Sequence, residues 1–170
     1  MREQSRTCCF TGHRPEKLPW GTDEGDPRCR MLKKKLYDAV EAAYGEGMRH
    51  FICGMARGCD FYFAEAVLAL RAERGDVSLE AAVPCPTQAD NWPAEDRARW
   101  RRILDQCDLE TMVQHSYTPG CMLRRNRYMV DHSALVIAVY DGTSGGTRRT
   151  LEYALRRKVP FLDIDPLGGC

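Results

Sequence analysis

A chain of 170 residues is long enough for one domain with a full hydrophobic core and too short for two domains of ordinary size. Its 44% hydrophobic and 29% charged residues exclude a disordered polymer, and a net charge of +1 leaves no whole-molecule field to draw in nucleic acid. No apolar run approaches a membrane span and the first residues, Met-Arg-Glu-Gln-Ser-Arg, hold no apolar signal region, so a single cytoplasmic domain over residues 1–170, without membrane contact, is expected.

Strand-type and helix-type segments alternate along the chain. A first strand, residues 7–11, ends in Thr11-Gly12-His13-Arg14-Pro15. A helix over 28–45 follows, with an apolar stripe of Met31, Leu32, Leu36, Tyr37, Val40, Ala43 and Tyr44, ended by Gly45 or Gly47. A second strand, 50–53, runs into Gly54-Met-Ala-Arg-Gly58-Cys-Asp60 and a helix over 60–74 that is apolar around much of its circumference. A third strand, 79–83, closes with Pro84-Cys-Pro86 ahead of a helix over 93–106. A fourth, 110–114, precedes an arginine-rich helix over 122–132. The fifth, 134–140, is a continuous apolar run that ends in Asp141-Gly142-Thr-Ser-Gly145-Gly146-Thr147 and opens a helix over 147–157. A last strand over 159–164 completes the pattern.

Apolar runs without alternation belong to strands buried on both faces, and regular strand–helix alternation gives the right-handed crossovers of parallel sheets. The expected fold is an α/β, three-layer, open and mainly parallel sheet with helices on both faces. Ligands of such sheets bind beyond the carboxyl ends of the strands, the edge at which all three glycine-bearing turns leave.

Those turns hold the candidate site. Glycines admit a ligand to the backbone, and the first N–H groups of the following helix point at it with the positive end of the helix dipole behind them. Gly145, Gly146 and Thr147 are the phosphate candidate, with Asp141 and Gly142 either holding a ribose hydroxyl or metal, or shaping the turn. No lysine follows in the P-loop arrangement. Thr11, Gly12 and Arg14 line the adjoining turn, where Arg14 either grips a phosphate or carboxylate or is solvated. His13 has no carboxylate partner nearby in the chain and reads as a hydrogen-bonding residue rather than an acid or base. Gly54, Gly58 and Asp60 shape the ribose or base end, Asp60 capping its helix or accepting from a hydroxyl. In the arginine-rich helix Arg125 shares the apolar face with Met122 and Met129, and a buried arginine calls for an anionic partner; Asn126 beside it can read a base or hydroxyl. Trp92 and the arginines from Arg97 to Arg102 read as helix packing with pairs to Glu95, Asp96 and Asp105, single-strand binding being the alternative.

Nine cysteines contain no C-x-x-C pair and no histidine at zinc-finger spacing. Cys8, Cys9 and Cys53 lie in apolar strands, where a reduced thiol packs as a small hydrophobe. No metal site is expected.

Taken in order, Thr11-Gly12-His13-Arg14-Pro15, Cys53-Gly54 through Gly58 and Asp60 to Ala64-Glu65-Ala66, Asn91-Trp92, and Tyr140-Asp141-Gly142 through Gly145-Gly146-Thr147 resemble the SLOG superfamily of Rossmann-like proteins, most closely its YpsA-like branch. The resemblance covers nearly the whole chain. It implies a nucleotide-derived ligand such as ADP-ribose, NAD or a nucleoside phosphate, with no resident cofactor required, a homodimer, and a link to bacterial cell division and stress with a division-protein partner. The segment from Met122 to Ser133 is also similar to the LOG phosphoribohydrolases, which would make Arg125 catalytic. That family's catalytic glutamate falls on Thr150, and Glu152 is turned about 200° from it around a helix. The DprA branch, similar in fold, implies single-stranded DNA binding as a third function.

Overall fold

The computed structural model describes residues 3–168; Met1, Arg2, Gly169 and Cys170 lie outside the described residues. Its elements follow in strict alternation: β1 (Thr7–Gly12), α1 (Pro27–Gly45), β2 (His50–Cys53), α2 (Cys59–Arg74), β3 (Ser78–Val83), α3 (Ala94–Gln106), β4 (Leu109–Met112), α4 (Cys121–Asp131), β5 (Leu135–Val139), α5 (Gly146–Arg156) and β6 (Phe161–Ile164). Among the described residues the six strands form one sheet in the order β4-β3-β2-β1-β5-β6, and every pair is parallel. The chain begins mid-sheet, builds outward through β2, β3 and β4, then returns to the other side of β1 with β5. The strand order therefore reverses between β1 and β5, which opens a crevice at their carboxyl ends.

Each face of the sheet has its own apolar layer. Residues of α1, α2 and α3 pack on one face with Cys8, Phe10, Phe51, Leu79 and Ile137. Met129 and Val130 of α4 and Leu151 and Ala154 of α5 pack on the other with Cys9, Ile52, Val136 and Ala138. Phe10 stacks on Phe63 of α2 at 4.7 Å, joining the central strand to the helix that follows β2. Met31, expected in the buried stripe of α1, is 53% exposed, because Leu32, Leu36, Ala39, Val40 and Ala43 already turn the core-facing side inward.

Local chemistry accounts for the boundaries. Asp26 caps α1 by accepting from the Arg28 amide at 2.8 Å, with Pro27 at the first helical position. The expected strand over 110–114 is shorter by two residues at its end, where its neighbour reaches Pro84, which has no N–H to give to a ladder. The last strand starts at Phe161 rather than residue 159, directly after Pro160. On the α4 face, wholly buried Glu80 accepts from Thr111 at 2.8 Å and from the Tyr128 hydroxyl at 2.5 Å, and meets His50 Nε2 at 2.7 Å. This buried polar cluster satisfies a carboxylate placed in an otherwise apolar layer.

Candidate functional site

The crevice between β1 and β5 has a volume of about 360 Å³. Its walls are the turn after β1, with Thr11, Gly12, His13, Arg14, Glu16 and Lys17, and Ala56 and Asp60 at the start of α2. Arg125, Asn126 and Met129 of α4 and Gly146 and Thr147 of α5 close it. Elements distant in sequence converge there because parallel strands all release their turns at one edge.

The N-terminus of α5 is open. Gly145 stands at its cap position, gives no side-chain cap, and has φ +146, a backbone conformation that favours glycine. The amides of Gly146, Thr147 and Arg148 find no acceptor among the described residues, and neither does the hydroxyl of buried Thr147. The turn in front of them is tied down. Asp141 accepts from the Thr143 amide at 2.9 Å and its hydroxyl at 2.6 Å. Lys17 reaches across from the other turn to donate to Thr143 Oγ1 at 3.1 Å and to the Ser144 carbonyl. Uncapped amides with the helix dipole behind them attract anions.

Arg125 lies opposite and is 4% exposed. Nη1 donates to the Gly54 carbonyl and Nε to Asn126 Oδ1 at 2.7 Å, while Nη2 has no acceptor among the described residues. No described carboxylate comes within ion-pair distance of it. Carbonyl and amide oxygens hold the guanidinium, and the charge of Asp60 acts on it from beyond ion-pair distance. Burial, with Arg14 adding to it and Asp60 opposing, pushes the Arg125 pKa down. Burial likewise pushes Asp60 up, against the pull of Arg125 and the Ala56 amide. Asp60 does not cap α2; its Oδ2 turns back to accept from the Ala56 amide at 2.9 Å. The loop carrying that amide includes Met55 at φ +64, an uncommon backbone state for a non-glycine residue.

His13 is 3% exposed, and a partner that sequence proximity did not show lies across the turn. Its Nε2 is 3.0 Å from Asp141 Oδ1 and 3.2 Å from the Asp141 amide. Burial pushes the His13 pKa down, Asp141 pulls it up, and Lys17 adds to the lowering. Desolvation works against the Asp141 carboxylate, but the hydrogen bonds from the Thr143 hydroxyl and amide outweigh it and hold Asp141 down to about 2.

Of the residues singled out from sequence, Thr11, Gly12, His13, Arg14, Asp60, Arg125, Asn126, Gly146 and Thr147 share this crevice, and Gly54, Gly58, Asp141, Gly142 and Gly145 stand outside its wall. Gly54 lies under Arg125, where a Cβ would meet the guanidinium carbon at 2.8 Å. Gly58, at φ +82, lets α2 approach the first turn, a Cβ there meeting Pro15 at 2.9 Å and the His13 carbonyl at 3.0 Å. Gly12 and Gly58 serve close packing between the first turn and α2. Lys17 and Glu16 were missed, although a lysine three residues beyond Arg14 in the same turn was a usable signal. Arg57 pairs with Asp96 at 2.8 Å and Glu16 at 3.2 Å.

Trp92, Trp100 and Arg99 pack rather than form a stacking platform, while Arg97, Arg101 and Arg102 of α3 stay exposed. Trp92 meets Phe61 edge-on, Trp100 donates to Gln88 at 3.1 Å, and Arg99 pairs with Glu24 and Glu65. Thr150, in the position of the LOG glutamate, donates to the Gly146 carbonyl at 2.9 Å, and Glu152 pairs with Arg148 on the exposed side of α5. Among the described residues no group of three His, Cys, Asp or Glu side chains is placed to hold a metal. The strand cysteines are free and buried; desolvation pushes the thiols of Cys8, Cys9 and Cys53 up, Cys9 to about 12, so they pack as apolar groups. No described helix is long and apolar enough to cross a membrane.

Known proteins are similar to this chain in sequence or in fold. The SPbeta prophage-derived protein YoqJ of Bacillus subtilis is 31% identical over 142 residues, 76% of this chain and 83% of that protein. A UPF0398 protein of Bacillus cereus is 25% identical over 156 residues, 90% and 84% of the two. Among solved structures, DNA processing protein A from Helicobacter pylori, described for its single-stranded DNA binding mode, superposes with a TM-score of 0.63 at 15% identity. DprA from Streptococcus pneumoniae gives 0.63 at 14%. These two likenesses cover 94% and 98% of this chain but only 65% and 51% of the solved chains, and at such identity they show a common fold. The family model YpsA, described as the YspA SLOG family, matches residues 8–159, and with the glycine turns, the switch-point crevice and the strand order in place, this chain belongs to that family.

Proposed function

We propose that the protein binds a nucleotide-derived ligand in the crevice between β1 and β5. One observation carries this: Gly146 and Thr147, with their helix-end amides and the Thr147 hydroxyl, and Arg125, with its Nη2, all line one hollow, and none of these donors has an acceptor among the described residues. Donors left this way in a native protein call for an anionic occupant. A phosphate seats on the α5 amides, Arg125 neutralises a second charged or polar group, and Asp60 accepts from a ribose hydroxyl. ADP-ribose, NAD and nucleoside phosphates supply that combination.

Calorimetry against ADP-ribose, NAD, AMP and ribose 5-phosphate should show binding by at least one of them, weakened roughly tenfold in Thr147→Val, about the worth of one hydrogen bond to a charged group. Absence of heat with all four at millimolar ligand would refute it. Cell-division and stress roles belong to the same proposal: a strain carrying a binding-defective variant should match the deletion strain in cell length and stress survival. LOG-type hydrolysis has less support, since Thr150 and Glu152 are both engaged away from the crevice and Asp60 alone offers a buried carboxylate. Single-stranded DNA binding, described for the Helicobacter pylori protein, has less again, since Trp92 and Trp100 are packed and Arg99 is paired, which leaves exposed Arg97, Arg101 and Arg102 without an aromatic stacking platform.

A further inference from the structure

Asp141 presents one nitrogen of His13 with both a donor and an acceptor. Its amide lies 3.2 Å from Nε2 and its carboxylate oxygen 3.0 Å from the same atom. Because Asp141 is ionised, its carboxylate oxygen 3.0 Å from Nε2 favours a proton on that nitrogen, in the neutral as in the protonated ring. Nδ1 then bears hydrogen only when the ring takes up a second proton, which needs no movement of the imidazole. Nδ1 has no hydrogen-bond partner among the described residues, and His13 lines the crevice that α5 opens onto. An almost fully buried side chain thus offers, once protonated, a donor in the same crevice that the uncapped N-terminus of α5 lines.

We infer that His13 is the proton-carrying contact of the anion subsite: a phosphate on the α5 amides draws a proton from solvent onto the imidazole, which donates to it from Nδ1. This rests on the proposed ligand site. The charged and titratable groups around the ring explain the direction. Asp141 favours the imidazolium; burial and Lys17 disfavour it. Arg14 follows in the chain, Asp60 of α2 and Arg125 of α4 line the same crevice, and the ring of Tyr140 stands 6.3 Å away. Without an anion the balance keeps His13 below its ordinary pKa, and so neutral near pH 7. A dianion added to that set reverses the balance. Asp141 is a positioning residue here: it accommodates each protonation state and touches no ligand.

The test is calorimetry with AMP between pH 7 and 8.5, where the ligand's own phosphate stays largely dianionic, in buffers of different ionisation enthalpy. The expected result is net proton uptake on binding, with affinity rising severalfold per pH unit as pH falls, approaching tenfold. In His13→Asn both effects should vanish. Sulfate, which carries two charges throughout this range, should show the same uptake. As a readout that needs no variant, the imidazole resonance of His13 should titrate at higher pH with AMP bound than without. AMP binding without proton uptake, or with the same uptake in His13→Asn, overturns the inference while leaving the ligand site standing. No binding of AMP, sulfate or the other nucleotides overturns both.

Discussion

Gly12→Ala is expected to lower stability by about 3 kcal/mol, and Gly12→Val by more. A Cβ at this position would lie 2.7 Å from Phe10 Cζ and 2.8 Å from Cys59 Cβ. Neither neighbour has room to yield. Phe10 is wholly buried and stacked on Phe63, and Cys59 begins α2, its amide bound to the His13 carbonyl at 3.2 Å. The added methyl must push α2 away from the central strand and open the turn that carries His13. For a domain of this size the loss corresponds to a fall in Tm of roughly 6–12 °C. Gly146→Ala is the matched control, since nothing lies within 4 Å of a Cβ there. Thermal melts that place Gly12→Ala beside Gly146→Ala would show that the contact between β1 and α2 is looser than described.

Arg125→Met should do the opposite, costing ligand and sparing the fold. Affinity for whichever nucleotide binds should fall by about 30- to 100-fold, the worth of a charge-assisted hydrogen bond made in a buried site. Stability should hold or rise. Burial disfavours the charged guanidinium, so the folded state gives up free energy to keep it there. Removing it orphans little: the Gly54 carbonyl keeps its bond from Gln88 Nε2 at 3.0 Å, and Asn126 is partly exposed to solvent. A methionine of similar length fills the same face of α4 beside Met129. Urea titration and calorimetry on one preparation decide the matter. A variant that unfolds early but binds as tightly as wild type would make Arg125 a structural residue. Gly54→Ala should move the same way more weakly, because its Cβ meets only the movable end of Arg125.

Much of the molecule was legible because its local signals agree with one another. β5 is apolar on both faces, so Leu135-Val-Ile-Ala-Val139 reads as an interior parallel strand without reference to anything else. Arg125 was identified by helical period alone, since a residue four before Met129 shares its face. The losses also have physical causes. His13 lacked a visible partner because Asp141 is 128 residues away in the chain and meets it only where β1 and β5 pair. Glu80 gave no sign of its environment, since His50, Thr111 and Tyr128 come from three other elements. Gly12, Gly54 and Gly58 look alike in sequence. One packs beneath a phenylalanine, one lies under an arginine, and one spaces two turns.

What the sequence by itself determined is the order of elements, the parallel sheet, the edge at which the glycine turns gather and the family to which they belong. These follow from periodicity, turn chemistry and right-handed crossovers, all of which act over a few neighbouring residues or along a single connection. Tertiary structure alone decided which donors stay unsatisfied. Lys17 clasps the α5 turn, Asp141 clasps His13, and Arg57 and Arg99 are consumed by carboxylates, whereas Arg125 and the first amides of α5 are not. Whether a polar group is paired depends on distances between chain segments far apart in sequence, and only the packed sheet sets those distances.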